Sequence, residues 1–159
     1  VSWSARQVGP GALSWCKGAH FKAEFRHMAR DKGAMAYVSL EPYPQVDLPC
    51  IQVTDMRETI APLADLYYGH PSGDLNGTGI TGTKGKTTTA YYLKGILDTW
   101  EKARGSQETG LLSTIEFFDG KQNQPSLMTT PESPGVYRHL RYAVDSGMEY
   151  FTMEVSSQA

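Results

Sequence analysis

The stretch Gly79 to Thr89, reading Gly-Ile-Thr-Gly-Thr-Lys-Gly-Lys-Thr-Thr-Thr, constrains this chain more than any other. Gly85-Lys86-Thr87 has the form of the end of a phosphate-binding loop. Glycines let the backbone bend until several N–H groups face one anion. The lysine supplies a point charge for the β- and γ-phosphates, and the threonine hydroxyl is a ligand for Mg²⁺. A strand should lead into such a loop and a helix should follow at once, its N-terminus adding positive charge to the anion site. The spacing departs from the general fingerprint. Gly-x-x-x-x-Gly-Lys-[Ser/Thr] ending at Thr87 requires a glycine at position 80, where Ile80 stands, so the loop is the compressed Gly82-Thr83-Lys84-Gly85-Lys86-Thr87.

Around this loop the chain alternates strand and helix signals, which implies an α/β layer structure. In residues 1–73, Ala12 to Lys17 reads as a strand. Phe21, Phe25 and Met28 recur at helical spacing up to Gly33, Ala34 to Leu40 reads as a buried strand, and Ile51 to Val53 as a short one. Ile60, Leu63, Ala64 and Tyr67 mark a second helix. Proline costs about 3 kcal/mol inside a helix but little in its first turn, so Pro62 places the start near Thr59 rather than at Asp55. The turn formers Gly69-His70-Pro71-Ser72-Gly73-Asp74 give the expected boundary between a domain of residues 1–73 and a second of 74–159. In the second, Leu75 to Thr81 is a strand required by the loop despite poor propensity. The helix Thr87 to Trp100 carries Ala90, Leu93, Leu97 and Trp100 on one face. Leu111 to Phe118 reads as a single strand ending in an Asp119-Gly120 turn. Thr130-Pro131-Glu132-Ser133-Pro134 signals a helix start, with Val136, Leu140 and Val144 as its buried stripe and Gly147 as its stop. Tyr150 to Val155 is a final strand.

Charge narrows the function classes. With 15 basic and 17 acidic residues the chain has no global attraction to nucleic acid or to an anionic membrane, so a nucleotide must be held by a local site. No apolar run is long enough to span a bilayer, and Val1-Ser2-Trp3-Ser4 lacks the charged start and apolar core of a signal peptide. Cys16 and Cys50 have no metal-ligand spacing and read as reduced, non-catalytic thiols of a cytoplasmic protein. The chain starts without methionine and stops after a strand-like run, as a piece of a longer protein would.

Three further constellations bear on chemistry. Glu154, in Met153-Glu154-Val155-Ser156-Ser157, falls at the carboxyl end of a strand, where a carboxylate reaches the same crevice as the phosphate loop and can hold Mg²⁺ opposite Thr87. Met128-Thr129-Thr130-Pro131-Glu132-Ser133 is equally well read as a capped helix start or as hydroxyls and free helix amides aimed at an anionic substrate. Cys16-Lys17-Gly18-Ala19-His20-Phe21-Lys22 is either a solvated helix entry or a basic, aromatic patch for a base or diphosphate. His27, His70 and His139 carry no assignment.

Taken together these residues resemble the Mur ligases, specifically the MurE type, the UDP-N-acetylmuramoyl-tripeptide synthetases. The compressed loop Gly82 to Thr87, the Thr129-Thr130-Pro131-Glu132-Ser133 run and Met153-Glu154-Val155-Ser156-Ser157 are similar to motifs of that family in the same order. Pro10-Gly11-Ala12-Leu13 running into Cys16-Lys17-Gly18-Ala19 is similar to the N-terminal domain of its Gram-positive members.

The resemblance implies a small N-terminal α/β domain followed by the start of a P-loop-type, mostly parallel sheet. It also implies an ATP-dependent amide ligation in peptidoglycan synthesis. A carboxylate of UDP-MurNAc-L-Ala-D-Glu takes the γ-phosphoryl group, and the amine of a diamino acid, L-lysine or meso-diaminopimelate, displaces phosphate from the acyl phosphate. On this reading Gly82, Thr83, Lys84, Gly85, Lys86, Thr87 and Thr88 hold ATP, Lys86 and Glu154 are catalytic, and Thr87 and Glu154 serve Mg²⁺. Ala5, Ala19, His20, Phe21, Thr129, Thr130, Ser156 and Ser157 contact the UDP-MurNAc-dipeptide. The family's usual Asp-Ser-Arg is replaced by Ser4-Ala5-Arg6, which removes a serine from the uridine end. The family's later catalytic residues and C-terminal domain fall beyond Ala159, so the chain alone is expected not to form the amide. Rival readings are a folylpolyglutamate synthetase-like ligase and a nucleotide-binding piece without turnover.

Overall fold

The computed structural model describes residues 9–16 and 23–156, so Ala5, Ala19, His20, Phe21 and Ser157 lie outside the described residues. The chain is mixed α/β and falls into two compact units, Val1–Leu63 and Ala64–Ala159. The division lies ahead of the Gly69–Asp74 turn.

The first unit is built on a parallel sheet of β1 (Leu13–Trp15), β2 (Ala36–Ser39) and β3 (Cys50–Gln52), in that order. Helix α1 (Ala23–Asp31) is the crossover from β1 to β2. It stops at Gly33, whose φ of 87° suits only glycine and whose N–H donates to the Arg30 carbonyl. Trp15, Val38, Met56 and Ile60 form the buried core. The buried strand expected over Ala34 to Leu40 is shorter, since Met35 and Leu40 are exposed. Neither Cys16 nor Cys50 is in a disulfide.

Helix α2 (Met56–Tyr67) corrects the sequence reading. It begins at Met56, not near Thr59, because Asp55 caps it: Asp55 Oδ1 accepts from the N–H groups of Arg57 at 2.6 Å and Glu58 at 3.0 Å. Those bonds hold the Asp55 carboxyl below the usual carboxylate range. Pro62 therefore lies inside the helix, on its exposed side, where the freed Glu58 carbonyl faces water.

The second unit takes in the last turn of α2 and then the Gly69–Asp74 turn. His70 takes a left-handed conformation there (φ 55°), and its Nδ1 lies 2.6 Å from Asp65 Oδ2 while Ser72 Oγ donates to Asp65 Oδ1 at 2.9 Å. The sheet that follows contains β4 (Asn76–Ile80), β5 (Gly110–Leu112), β6 (Glu116–Phe118), β7 (Asn123–Pro125) and β8 (Tyr150–Glu154), in the order β4-β8-β5-β6-β7. The β4–β8 and β8–β5 pairs are parallel, and β5–β6 and β6–β7 are antiparallel. The strands that carry the loop are thus parallel, as expected, and the antiparallel pairs lie at the other edge of the sheet. They arise because the segment 111–118 is not one strand but a hairpin. Ser113 Oγ accepts from the N–H groups of Ile115 and Glu116 and donates to the Glu116 carbonyl, which turns the chain between Leu112 and Glu116. The Asp119-Gly120 turn forms as expected, leading into β7.

Helix α3 (Lys86–Arg104) runs past its expected end at Trp100 and stops at Gly105 (φ 72°). Ala90 is fully buried, but Trp100 is 56% exposed, so it does not complete the apolar face assigned to it. Its ring instead carries the Arg104 guanidinium at 5.7 Å. Helix α4 (Ser133–Asp145) packs Leu140 and Ala143 against Leu75, Leu112, Met148 and Phe151. The close fit of strand to strand shows at Gly110. A Cβ there would stand 2.2 Å from Cδ2 of Phe151, a ring only 1% exposed. Gly110→Ala is expected to destabilise the fold by about 1–3 kcal/mol. Urea unfolding would show a lower midpoint at unchanged slope, and an unmoved midpoint would contradict this packing.

His139, unassigned from sequence, is buried on α4 with Nδ1 2.6 Å from Oδ2 of the fully buried Asp119 and its ring 4.6 Å from that of Phe117. Asp119 Oδ1 also accepts from the N–H groups of Lys121 and Gln122, so the pair ties α4 to the β6–β7 turn. Burial pushes the His139 imidazole below its ordinary value of 6.5, against the opposing pull of Asp119. The unfolded chain therefore takes up a proton that the native state resists. The stability held by neutral His139 is complete above pH 6.5 and is lost as pH falls from there towards the native value. Between pH 7.5 and 5.5, windows set by that shift and roughly one unit either side of the free imidazole, Tm should fall more steeply for this protein than for His139→Gln. Parallel slopes would exclude His139 as the source.

Candidate nucleotide site

The letters of Gly79 to Thr89 become a strand, a loop and a helix. β4 ends at Ile80, residues 81–85 form an exposed loop, and α3 starts at Lys86. Gly82 (φ 150°) and Gly85 (φ 79°) take the conformations that let the loop turn, and Gly85 caps α3 without placing any side chain over its first amides. Thr83, Lys84 and Thr88 are exposed. Lys86 curls back over the loop, Nζ donating to the Gly82 carbonyl at 2.8 Å. One ammonium and a set of helix N-terminal amides thus lie on one short loop, an arrangement suited to phosphate.

Glu154 stands beside the loop because β8 pairs with β4 in register, Glu154 opposite Ile80. The pairing continues one residue further, the Val155 N–H donating to the Ile80 carbonyl at 2.8 Å. The carboxylate is fully buried. Its Oε2 accepts from Thr87 Oγ1 at 3.0 Å and lies 3.3 Å from Thr114 Oγ1, and its Oε1 accepts from the Thr114 N–H at 2.9 Å. Two hydroxyls and one amide are its partners among the described residues.

Thr129 and Thr130 do different things. Thr129 Oγ1 lies 3.1 Å from Thr114 Oγ1, which brings it into the network around Glu154. Thr130 Oγ1 donates to the Glu154 carbonyl at 2.9 Å and accepts from the Ser156 N–H at 3.0 Å, so it pins the backbone at the end of β8. Lys86, Thr87, Glu154, Thr129, Thr130 and Ser156 are therefore gathered in one unit. Thr114 was missed from sequence because it lay within a run read as a single strand. The only signal was the Ser113-Thr114 pair interrupting its apolar residues. Beneath it, the Tyr91 hydroxyl, one turn after Thr87 on α3, donates to Glu116 Oε1 at 2.9 Å and steadies the same hairpin.

The donor set suits a small hard cation. Thr87 Oγ1 and a Glu154 carboxylate oxygen sit 3.0 Å apart beside the phosphate loop, both oxygens of the kind Mg²⁺ takes when most of its shell is water and phosphate. No cluster of three or more His, Cys, Asp or Glu side chains that could form an all-protein metal cage occurs among the described residues.

Residues 80–159 match the Mur ligase middle domain. The UDP-N-acetylmuramyl-tripeptide synthetase of Lactobacillus delbrueckii subsp. bulgaricus is 42% identical over 163 aligned positions, which cover all of this chain and 31% of that protein. The UDP-N-acetylmuramoyl-L-alanyl-D-glutamate–L-lysine ligase of Enterococcus faecalis is 43% identical over 160, again all of this chain and 31% of the relative. The chain thus spans about a third of the length of the curated relatives it matches. Among solved structures, a UDP-N-acetylmuramoyl-L-alanyl-D-glutamate–2,6-diaminopimelate ligase shares the fold at a TM-score of 0.73 and 18% identity, over 99% of this chain and 31% of that one. The MurF ligase of Thermotoga maritima, solved with ADP, does so at 0.57 and 23%, over 98% of this chain and 31% of its own. With half of its residues matched by the middle domain, the loop–helix–carboxylate unit falling inside that match, the chain belongs to the Mur ligase family.

Proposed function

We propose that this chain provides the nucleotide- and acid-substrate-binding part of an ATP-dependent amide ligase of MurE type, acting in the cytoplasm on UDP-MurNAc-L-Ala-D-Glu. In this reaction a substrate carboxylate oxygen attacks the γ-phosphorus of ATP and ADP leaves. The amine of L-lysine or meso-diaminopimelate then attacks the acyl carbon, forms the amide and expels phosphate. The observation that carries the reading is the Gly-Lys-Thr loop opening on α3 with the Thr87 hydroxyl 3.0 Å from the buried Glu154 carboxylate. The two relatives named for this activity support it.

Each residue has a task set by its place. The loop amides and Lys86 orient the β- and γ-phosphates and meet the charge that gathers on them. Positioning and charge neutralisation are most of what phosphoryl transfer requires. Thr87 and Glu154 would hold Mg²⁺, which when bound neutralises phosphate charge. Thr129 and Ser156 would meet the dipeptide acid, a reading supported by Thr130, whose hydroxyl ties the Glu154 carbonyl to the Ser156 N–H and holds that rim in shape. The uridine end falls to Ala5, Ala19, His20, Phe21 and the domain of residues 1–73, with 74–159 as the nucleotide domain. Among the described residues no helix is long and apolar enough to cross a membrane.

A chimera tests the reading: this chain replaces the aligned residues of the Enterococcus faecalis relative. Given ATP, Mg²⁺, UDP-MurNAc-L-Ala-D-Glu and lysine or diaminopimelate, it should yield the tripeptide by mass. A folded chimera that binds ADP without making product would leave only nucleotide binding.

A further inference from the structure

We propose that Thr114 is a positioning residue that holds Glu154 in its metal-binding rotamer and couples that carboxylate to the acid-substrate rim through Thr129. The proposal rests on the nucleotide site described above and adds a residue and a coupling to it.

The hairpin between β5 and β6 explains why Thr114 is available. Ser113 takes the amides of Ile115 and Glu116 on its own Oγ, and the Ser113 N–H donates to the Glu116 carbonyl. The Thr114 amide is left over from this turn, and it is aimed at Glu154 Oε1, 2.9 Å away. The Thr114 hydroxyl sits between two oxygens, Glu154 Oε2 at 3.3 Å and Thr129 Oγ1 at 3.1 Å. A hydroxyl has one proton to donate, and a carboxylate is the stronger acceptor. Thr114 is the donor towards both, its one proton shared between Glu154 Oε2 and Thr129 Oγ1, which links Thr129 to the oxygen also touched by Thr87.

The fully buried carboxylate is thus gripped on both oxygens by one residue, while Thr87 touches only Oε2. Any cation drawing on Oε2 weakens its acceptance from the Thr114 hydroxyl. That commits the hydroxyl to Thr129 and leaves the Thr129 proton for the rim. Occupancy of the phosphate loop and recognition of the acid substrate are then linked through one hydroxyl group.

The test uses the whole chain, with ADP as probe and calorimetry with and without Mg²⁺. Thr114→Val keeps the backbone N–H and the side-chain shape but removes the hydroxyl. It should weaken the Mg²⁺-dependent part of ADP binding by about 10-fold, the lower end for partners of a metal-binding carboxylate. Metal-free ADP binding should stay as in the parent chain, and Thr114→Ser should restore the Mg²⁺ effect. Equal loss with and without Mg²⁺, together with a lower Tm, would reduce Thr114 to a structural residue and overturn the proposal. So would Thr114→Val binding Mg²⁺ and ADP as the parent does. A parent chain whose ADP affinity ignores Mg²⁺ would overturn the metal-site reading itself, and this proposal with it.

Discussion

Lys86→Ala should reduce ligation by the chimera about 10²–10³-fold, the loss seen when one preorganised donor to a developing charge is removed. The fold should survive. The described bond of the Lys86 side chain is to the Gly82 carbonyl in its own exposed loop, and substitutions at such positions stay within about 0.5 kcal/mol. On the proposed reading the ammonium meets the negative charge that grows as the γ-phosphoryl group passes from ADP to the acid, so its removal should act on the transition state more than on ground-state binding. Turnover should therefore fall further than ATP affinity. Lys84→Ala, on the exposed shoulder of the same loop, should lose much less. Near-parental turnover by Lys86→Ala would refute the role given to this lysine.

Glu154→Gln should act on binding and stability in opposite directions. The carboxylate is fully buried, and its partners among the described residues are neutral: Thr87, Thr114 N–H and the Thr114 hydroxyl. A buried charge without an opposite charge beside it is costly to desolvate. Glutamine keeps the size and one carbonyl acceptor for the Thr114 amide but carries no charge. The metal-free protein should melt at the same temperature or higher, while the Mg²⁺-dependent gain in ADP affinity should disappear. Glu154→Ala separates the effects, since it strands the Thr114 N–H and should destabilise by about 1–3 kcal/mol. If Glu154→Gln lowered Tm as much as Glu154→Ala, the carboxylate would be a structural element rather than a site kept at some cost to stability.

The site was legible where chemistry restricts residue type and the fold where periodicity was strong. Gly82, Gly85, Lys86 and Thr87 announce a loop because few other residues do their work. α4 appeared with its Leu140 stripe and its Gly147 stop, the latter at φ 76°. What stayed hidden depended on partners distant in sequence or on local capping. Pro62 looked like a helix start because its cost was weighed without the Asp55 cap that fixes the true one. Residues 111–118 looked like one strand because apolar residues flank Ser113 on both sides, and a serine that turns the chain by its own Oγ leaves little trace in a hydropathy pattern. Trp100 was placed on the apolar face by its helical spacing from Ala90, Leu93 and Leu97, yet α3 presents it outward. The Asp119–His139 pair carries no sequence signature, and Thr114 none beyond the Ser113-Thr114 break in the apolar run, since each is defined by a residue at least 20 positions away.

The strand order has a bearing on how the protein comes into being on the ribosome. β8 lies between β4 and β5 although it follows all other described strands in the chain. β4, which feeds the phosphate loop, pairs among the described strands with β8 alone. As synthesis runs from the N-terminus, β4 and the start of α3 emerge while Tyr150–Glu154 has yet to be made, an interval of seconds at roughly 5–20 residues per second. Throughout that interval the loop has neither its sheet neighbour nor Glu154. The complete site therefore exists only after β8 has slotted between β4 and β5.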